Sequence, residues 1–320
     1  MEGLTGYIYR NAYNACYQPM DKYFTPFLSP KANSGLSFRE LNDILPEHNR
    51  GLYLVPQILT NQAEDFMRTA MELREYGYTE VNLNLGCPSG TVVSKHKGAG
   101  FLEQTDRLDR LLDEVCTRLE QIGMELSVKT RLGMTSPDEF PGLLEIYNRY
   151  PIKELILHPR IRTDYYKNTP NMPAFRVGFE GSRAPVCYNG DIFTVSDYET
   201  LCGDYPKLDR VMLGRGIISN PGLLDRIAAG ADSGGAGTGK ETLRQFHQMV
   251  YEGYREIMSG DRNVLFKMKE LWACMIQIFS DNGKYIKRIK KSQRLEEYEA
   301  AVAAVFRDLD IMEGAGFRTY

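Results

Sequence analysis

No apolar run in this 320-residue chain approaches the roughly 20 residues needed to cross a bilayer. No leader is expected either: the sequence opens on Glu2, Gly3 and Thr5, not on basic residues followed by an apolar stretch. These absences argue against a membrane-spanning or exported protein, and a cytoplasmic one is expected. Metal-ligand spacing is also lacking. The six cysteines, Cys16, Cys87, Cys116, Cys187, Cys202 and Cys274, include no C-x-x-C pair, and no histidine cluster accompanies them. No metal site is expected, and most of the cysteines should be buried, inert, reduced thiols. A large excess of either charge is lacking as well, at a formal net charge of −3. That argues mildly against a surface coated for nucleic acid, although distribution matters more than the sum.

What is present points to an α/β fold. Strand-like apolar runs fall at 23–27, 52–58, 81–85, 126–130, 154–158, 185–189 and 210–213. Several are almost continuously apolar, as buried parallel strands are. Helical patterns lie between most of them. One spans 62–76, with Thr60 and Asn61 as possible caps and Gly77 closing it; another spans 105–122 and is closed by Gly123. Such alternation builds βαβ units and predicts a (β/α)8 TIM barrel. The runs supply seven strands, so the first strand is expected to precede Glu2. An open barrel leaves unpaired edges, and the natural protein is therefore expected to start upstream of Met1. The alternative, a shift of the segment after Met1 into the gap, suits Glu2, Gly3 and Gly6 poorly.

Past Ala229 the composition changes. Residues 231–239 read as a Gly- and Ser-rich linker. Helical patterns at 240–258, 264–280 and 293–313 suggest a small bundle. The expected division is a barrel domain at 1–230, the linker at 231–239 and a helical domain at 240–320. Lys284, Lys287, Arg288, Lys290, Lys291 and Arg294 form a basic stretch uninterrupted by acid. The plain reading of such a run is a solvated helix face.

Barrels carry their chemistry at the C-terminal ends of their strands. Here those ends hold Gln57, then Gly86-Cys87-Pro88, Lys129 with Arg131, His158-Pro159-Arg160, Asn189-Gly190-Asp191 and Gly214-Arg215-Gly216. Each has a structural alternative. Gln57 could close a strand end, Lys129 could be an interior ion-pair partner, His158 a satisfied core histidine, and Gly214–Gly216 a tight turn. Their conjunction favours function. A Gly-rich final loop followed by a helix near Ser219-Asn220-Pro221 suits a phosphate. Lys129 suits an electron-rich cofactor edge, and Gln57 offers both donor and acceptor to a pyrimidine-like ring.

The motifs Met1-Glu2-Gly3-Leu4-Thr5, Asn82-Leu83-Asn84-Leu85-Gly86-Cys87-Pro88, Lys97-Gly98-Ala99-Gly100, Lys129-Thr130-Arg131, His158-Pro159-Arg160, Asn189-Gly190-Asp191-Ile192 and Gly214-Arg215-Gly216 resemble, in order, those of the tRNA-dihydrouridine synthases. The resemblance implies FMN held by Gln57, Lys129, His158, Asn189, Asp191, Gly214 and Arg215. It implies Cys87 as catalytic acid, Asn84 as a uracil ligand, NADPH as reductant and tRNA as substrate. Arg160 joins the substrate side, and Lys287, Arg288, Lys290 and Lys291 become candidate tRNA contacts. A monomer is expected. The family often has Gly where this chain has Pro159, and it has a short strand before the Met-Glu-Gly run.

Reduction of uridine needs a hydride at C6 and a proton at C5, and a thiol on the opposite face can give the proton. A buried loop cysteine is the bland alternative for Cys87. Other functions stay open on the residues alone: a flavin dehydrogenase of a free pyrimidine such as dihydroorotate, a Schiff-base aldolase with Lys129 as nucleophile, or an RNA-binding module without flavin.

Overall fold

The computed structural model describes residues 3–30, 35–230, 239–312 and 314–317. All of the expected linker but Gly239 lies outside them. From the N-terminus come α1 (Tyr7–Cys16), β1 (Tyr23–Phe24), α2 (Phe38–Ile44), β2 (Leu54–Val55), β3 (Gln57–Ile58), α3 (Ala63–Glu75), β4 (Glu80–Leu85), α4 (Gly90–Val93), α5 (Thr105–Gln121) and β5 (Glu125–Arg131). There follow α6 (Phe140–Tyr147), β6 (Ile152–His158), α7 (Met172–Gly181), β7 (Val186–Tyr188), α8 (Val195–Asp204), α9 (Arg215–Ser219) and α10 (Leu223–Ala229). The last are α11 (Lys240–Ile257), α12 (Asp261–Met275), α13 (Gly283–Lys291) and α14 (Leu295–Asp308). Contacts group Asp21–Gly190 with Leu208–Met212 as one unit, and Met1–Met20, Asp191–Lys207 and Leu213–Tyr320 as another.

The first unit is the (β/α)8 barrel sheet. All pairings are parallel: β1 with β2, and β3 to β7 in chain order. Single bridges join Leu28 to Ile58 and Tyr188 to Val211, so the expected strand at 210–213 pairs at one residue. Strands β4 to β6 are buried over nearly their whole length. Helix α5 explains the cover over them. Its buried Leu108, Leu111, Leu112, Val115, Cys116 and Leu119 recur at helical spacing and make one apolar stripe. Burying each leucine stabilises the unit by about 1.5–3 kcal/mol.

Helix α3 ends as expected, with Gly77 at φ +91°, and α5 is followed by Gly123 at φ +68°. The start of α3 differs from expectation. Gln62 occupies the N-cap without a side-chain bond to the helix amides. Thr60 Oγ1 accepts the Gln62 amide at 3.2 Å, and Asn61 turns to another loop.

Alternation along the strands sends polar groups to one face. Asn82 and Asn84 on β4 pair in register with Ser127 and Lys129 on β5, and Arg131 pairs with His158 on β6. At the other ends of the strands lies an ionic floor. Lys22 reaches Glu80 at 3.2 Å and Glu154 at 3.1 Å, while Lys153 and the Tyr53 hydroxyl also contact Glu80. Burial alone would raise the Glu80 carboxyl. The Tyr53 hydroxyl, Lys22 and Lys153 outweigh it and hold the group below its ordinary value.

The second unit is helical. Tyr9 of α1 meets Phe246 of α11 edge-on at 5.2 Å. In its core the Tyr298 hydroxyl accepts from Trp272 Nε1 at 2.9 Å and lies 2.6 Å from His247 Nε2. The indole only donates, so the Tyr298 oxygen accepts from Trp272 and shares a second hydrogen bond with His247. Burial pushes His247 down to about 3. The bundle has one helix more than expected. The 293–313 pattern is α14 alone, and the basic stretch forms its own helix, α13, anchored by buried Tyr285 and Ile289. Likewise, the helix after the last strand begins at Arg215, ahead of Ser219.

Candidate active site

The strand-end polar groups of the barrel unit form one connected network. Asn84 Nδ2 donates to Gln57 Oε1 at 2.6 Å, Gln57 Nε2 donates to Asn82 Oδ1 at 2.8 Å, and Asn82 Nδ2 donates to Ser127 Oγ at 3.0 Å. Gln57 is buried, and its main-chain N–H bonds Thr25 Oγ1 at 3.0 Å. Fixed in this way, its carboxamide keeps one N–H and one lone pair beyond these bonds. That is a donor–acceptor pair of the kind a pyrimidine edge needs.

Asn84 does a second job. Its Oδ1 accepts the amides of Gly86 and Cys87, each at 3.0 Å. The carbonyl of Cys87 accepts from Ala99 N at 3.0 Å. The Lys97-Gly98-Ala99-Gly100 turn therefore backs the cysteine. A Cβ on Gly98 would lie 2.9 Å from the Cys87 carbonyl oxygen, and Gly98 sits at φ +56°, so both space and backbone require glycine there. The Cys87 side chain is half-buried.

Lys129 stands beside this turn: a methyl group at Gly86 would be 3.8 Å from its Nζ. Burial, then the charge of Arg131, pushes its ammonium down to about 8. Arg131, which the sequence placed among the strand-end residues without a role, holds the site together. Its Nε donates to the Gly86 carbonyl at 2.8 Å, Nη1 to Ile161 O at 3.0 Å and Nη2 to Tyr165 O at 2.8 Å.

His158 is buried, with Tyr166 stacked at 6.0 Å. Arg160 Nη1 lies 3.1 Å from His158 Nε2. A guanidinium only donates, so Nε2 accepts and Nδ1 carries the ring proton. Arg160, expected on the substrate side, is only 1% exposed, and its Nε is spent on the Asn168 carbonyl at 2.6 Å. It is a support of His158 rather than a surface contact. Asn189 bonds the Met212 carbonyl through Nδ2 at 2.9 Å.

The remaining candidates lie in the helical unit. Arg215 Nη2 pairs with Asp191 Oδ1 at 2.7 Å, and the guanidinium lies 5.2 Å from the Phe193 ring and 5.0 Å from the Phe317 ring. Gly214 caps α9, and a Cβ on Gly216 would lie 2.2 Å from the Ile192 carbonyl oxygen. On α13, Lys287, Arg288, Lys290 and Lys291 are exposed and have no carboxylate partner among the described residues. No cluster of metal-ligating side chains occurs among the described residues, and no helix of the structure is long and apolar enough to cross a membrane.

The family model described as dihydrouridine synthase (Dus) matches residues 14–313. A Staphylococcus aureus protein named "Probable tRNA-dihydrouridine synthase" is 28% identical over 236 residues, covering 69% of this chain and 67% of its own. The tRNA-dihydrouridine(16) synthase of Pseudomonas putida is 32% identical over 161 residues, 49% of this chain and 48% of its own. Among solved structures, a variant of NCR from Zymomonas mobilis is similar at a TM-score of 0.48 and 16% identity, covering 76% of this chain and 85% of that one.

Proposed function

The chain belongs to the dihydrouridine synthase family, and from that premise we propose how its own residues reduce the C5–C6 bond of a tRNA uridine. The enzyme is an FMN-dependent oxidoreductase with NAD(P)H as reductant. When bound and reduced, FMN supplies the hydride.

The strand-end groups fit a flavin. Gln57 retains a donor and an acceptor, and Lys129 offers a cation whose ammonium is already desolvated. Gln57, Lys129, His158 and Asn189 are the proposed ring ligands, with His158 presenting Nδ1–H while Arg160 fixes its tautomer. Arg215, Asp191 and the amides around Gly214 are the proposed phosphate-side group. A lowered Lys129 would equally suit a Schiff-base lysine; membership in a flavin-dependent family supports the flavin reading.

One observation carries the mechanism: Asn84 and Arg131 together clamp the Gly86–Cys87 peptide from two adjacent strands. The thiol is thus held to deliver its proton to C5. Asn84, at the same turn, is the proposed uracil ligand. The basic face of α13, through Lys287, Arg288, Lys290 and Lys291, is the proposed tRNA surface, and its attraction to phosphates is salt-dependent. The proposed domain division is catalytic at 1–230 and tRNA-binding at 240–320, and the setting of a tRNA-modifying enzyme is the cytoplasm.

The test has two readouts. Purified protein should show flavin absorbance that bleaches on adding NADPH, and it should form dihydrouridine in unmodified tRNA. Arg215→Ala should purify with less flavin. A colourless protein, or full flavin in Arg215→Ala, would remove the corresponding part of the reading.

A further inference from the structure

The loop that backs Cys87 carries three consecutive basic side chains, Lys95, His96 and Lys97. Lys95 and His96 are exposed and Lys97 half-buried. None has a carboxylate partner among the described residues. The loop leaves the C-terminal end of β4, on the face where Gln57, Lys129 and His158 gather. Its backbone is held in an unfavourable shape: His96 sits at φ +50°, a conformation a residue with a Cβ seldom adopts. The shape is imposed from outside. Asn61 Nδ2, at the end of the strand carrying Gln57, donates to the Lys95 carbonyl at 3.2 Å and the His96 carbonyl at 3.0 Å. Three residues after His96, Ala99 bonds the Cys87 carbonyl.

A strained turn persists where surrounding structure over-determines it, and such turns gather at functional sites. This one fixes two lysines relative to the thiol. We infer that Lys95 and Lys97 grip the RNA phosphates next to the uridine presented to Cys87, and that Asn61 is their positioning residue. The inference rests on the tRNA reading above. Extruding a base from its stack is unfavourable, and phosphate contacts fixed to the same loop as the proton donor hold the strand in register at the point of reaction. The occupant is an RNA backbone because the groups are compact cations with no carboxylate partner among the described residues, which suits phosphates.

The experiment uses the full chain with FMN and an unmodified tRNA transcript. Lys95→Ala with Lys97→Ala should raise Kd and KM for tRNA about tenfold, and should lower the magnitude of the log–log salt slope by about 1 to 2. NADPH oxidation without tRNA and flavin content should hold. Lys95→Arg with Lys97→Arg should restore binding. Asn61→Ala keeps both charges, so it should raise KM about threefold with the salt slope unchanged. Wild-type KM and salt slope in the double alanine variant, while wild type forms dihydrouridine, would overturn this inference alone. Failure of wild type to form dihydrouridine would instead overturn the reading beneath it.

Discussion

The side-chain oxygen of Asn84 accepts the main-chain N–H of Cys87 at 3.0 Å, so the thiol is positioned from the strand below as well as from its own turn. Asn84→Ala removes that hold. Dihydrouridine formation should fall about 10- to 100-fold, the scale of a small misplacement at a reacting centre. NADPH oxidation should persist. Asn84→Asp keeps the acceptor but loses the donor to Gln57, so flavin content should fall instead.

Cys87→Ala should separate the two half-reactions. The thiol is proposed to touch only the uracil side, so the variant should keep its flavin and oxidise NADPH at the wild-type rate. Product formation should drop by about 100- to 10,000-fold, the usual worth of a positioned acid. Stopped-flow flavin bleaching beside mass spectrometry of digested tRNA checks both halves. Normal product yield would remove Cys87 from the acid role.

Lys129 makes two opposite pH predictions. Its folded value, near 8, lies below the ordinary lysine value of 10.5. Between these the unfolded chain binds more protons than the folded one, so this group's contribution to stability rises with pH across that window. FMN binding should move the other way. Above about 8 the ammonium neutralises and the ring loses its cation, so Kd for FMN should climb. Lys129→Met should flatten both trends in apoprotein melts and flavin titrations.

Replacing Lys287, Arg288, Lys290 and Lys291 together with Ala should weaken tRNA binding and reduce the salt slope by about 3 if all four meet phosphates. Flavin content and NADPH oxidation should not change. An unmoved affinity and slope would return α13 to the status of a solvated face.

In the helical core, Tyr298→Phe removes both the acceptor of Trp272 and the hydrogen-bond partner of His247. The stability of that unit should fall by about 1–3 kcal/mol. Acid should do similar damage. His247 is held near 3, so as pH falls below the ordinary histidine value of 6.5 the unfolded chain gains a proton that the folded one refuses. Stability should decline by up to about 1.4 kcal/mol per pH unit in that window. His247→Phe should remove this slope in denaturant titrations at pH 7 and 5.

The strands at 81–85 and 126–130 were legible because apolar residues alternate there with the polar Asn82, Asn84, Ser127 and Lys129, and β4 and β5 differ from those bounds by a residue at most ends. The strand-end chemistry was legible because barrels collect it on one face, and the family match agrees with the motifs. Helix α13 was not, since only Tyr285 and Ile289 anchor it and its polar face swamps the pattern. Nor was the fate of Arg160 or the work of Asn61 and Arg131. Asn61 bonds carbonyls 34 and 35 residues away, and Arg131 bonds the Gly86 carbonyl 45 residues back. Main-chain partners have no residue type, so no spacing rule announces them.

The Tyr298 hydroxyl that joins Trp272 to His247 also makes a built-in optical probe. Trp272 is the only tryptophan of the chain and is fully buried. Light at the red edge of protein absorption therefore excites a single side chain, 5.4 Å from an imidazole that is neutral while the core is intact. A shift of that emission to the red reports water reaching this one core. Flavin absorbance reports the proposed ring site around Lys129. The two colours can be followed in the same cuvette as temperature or urea rises, without attaching a label.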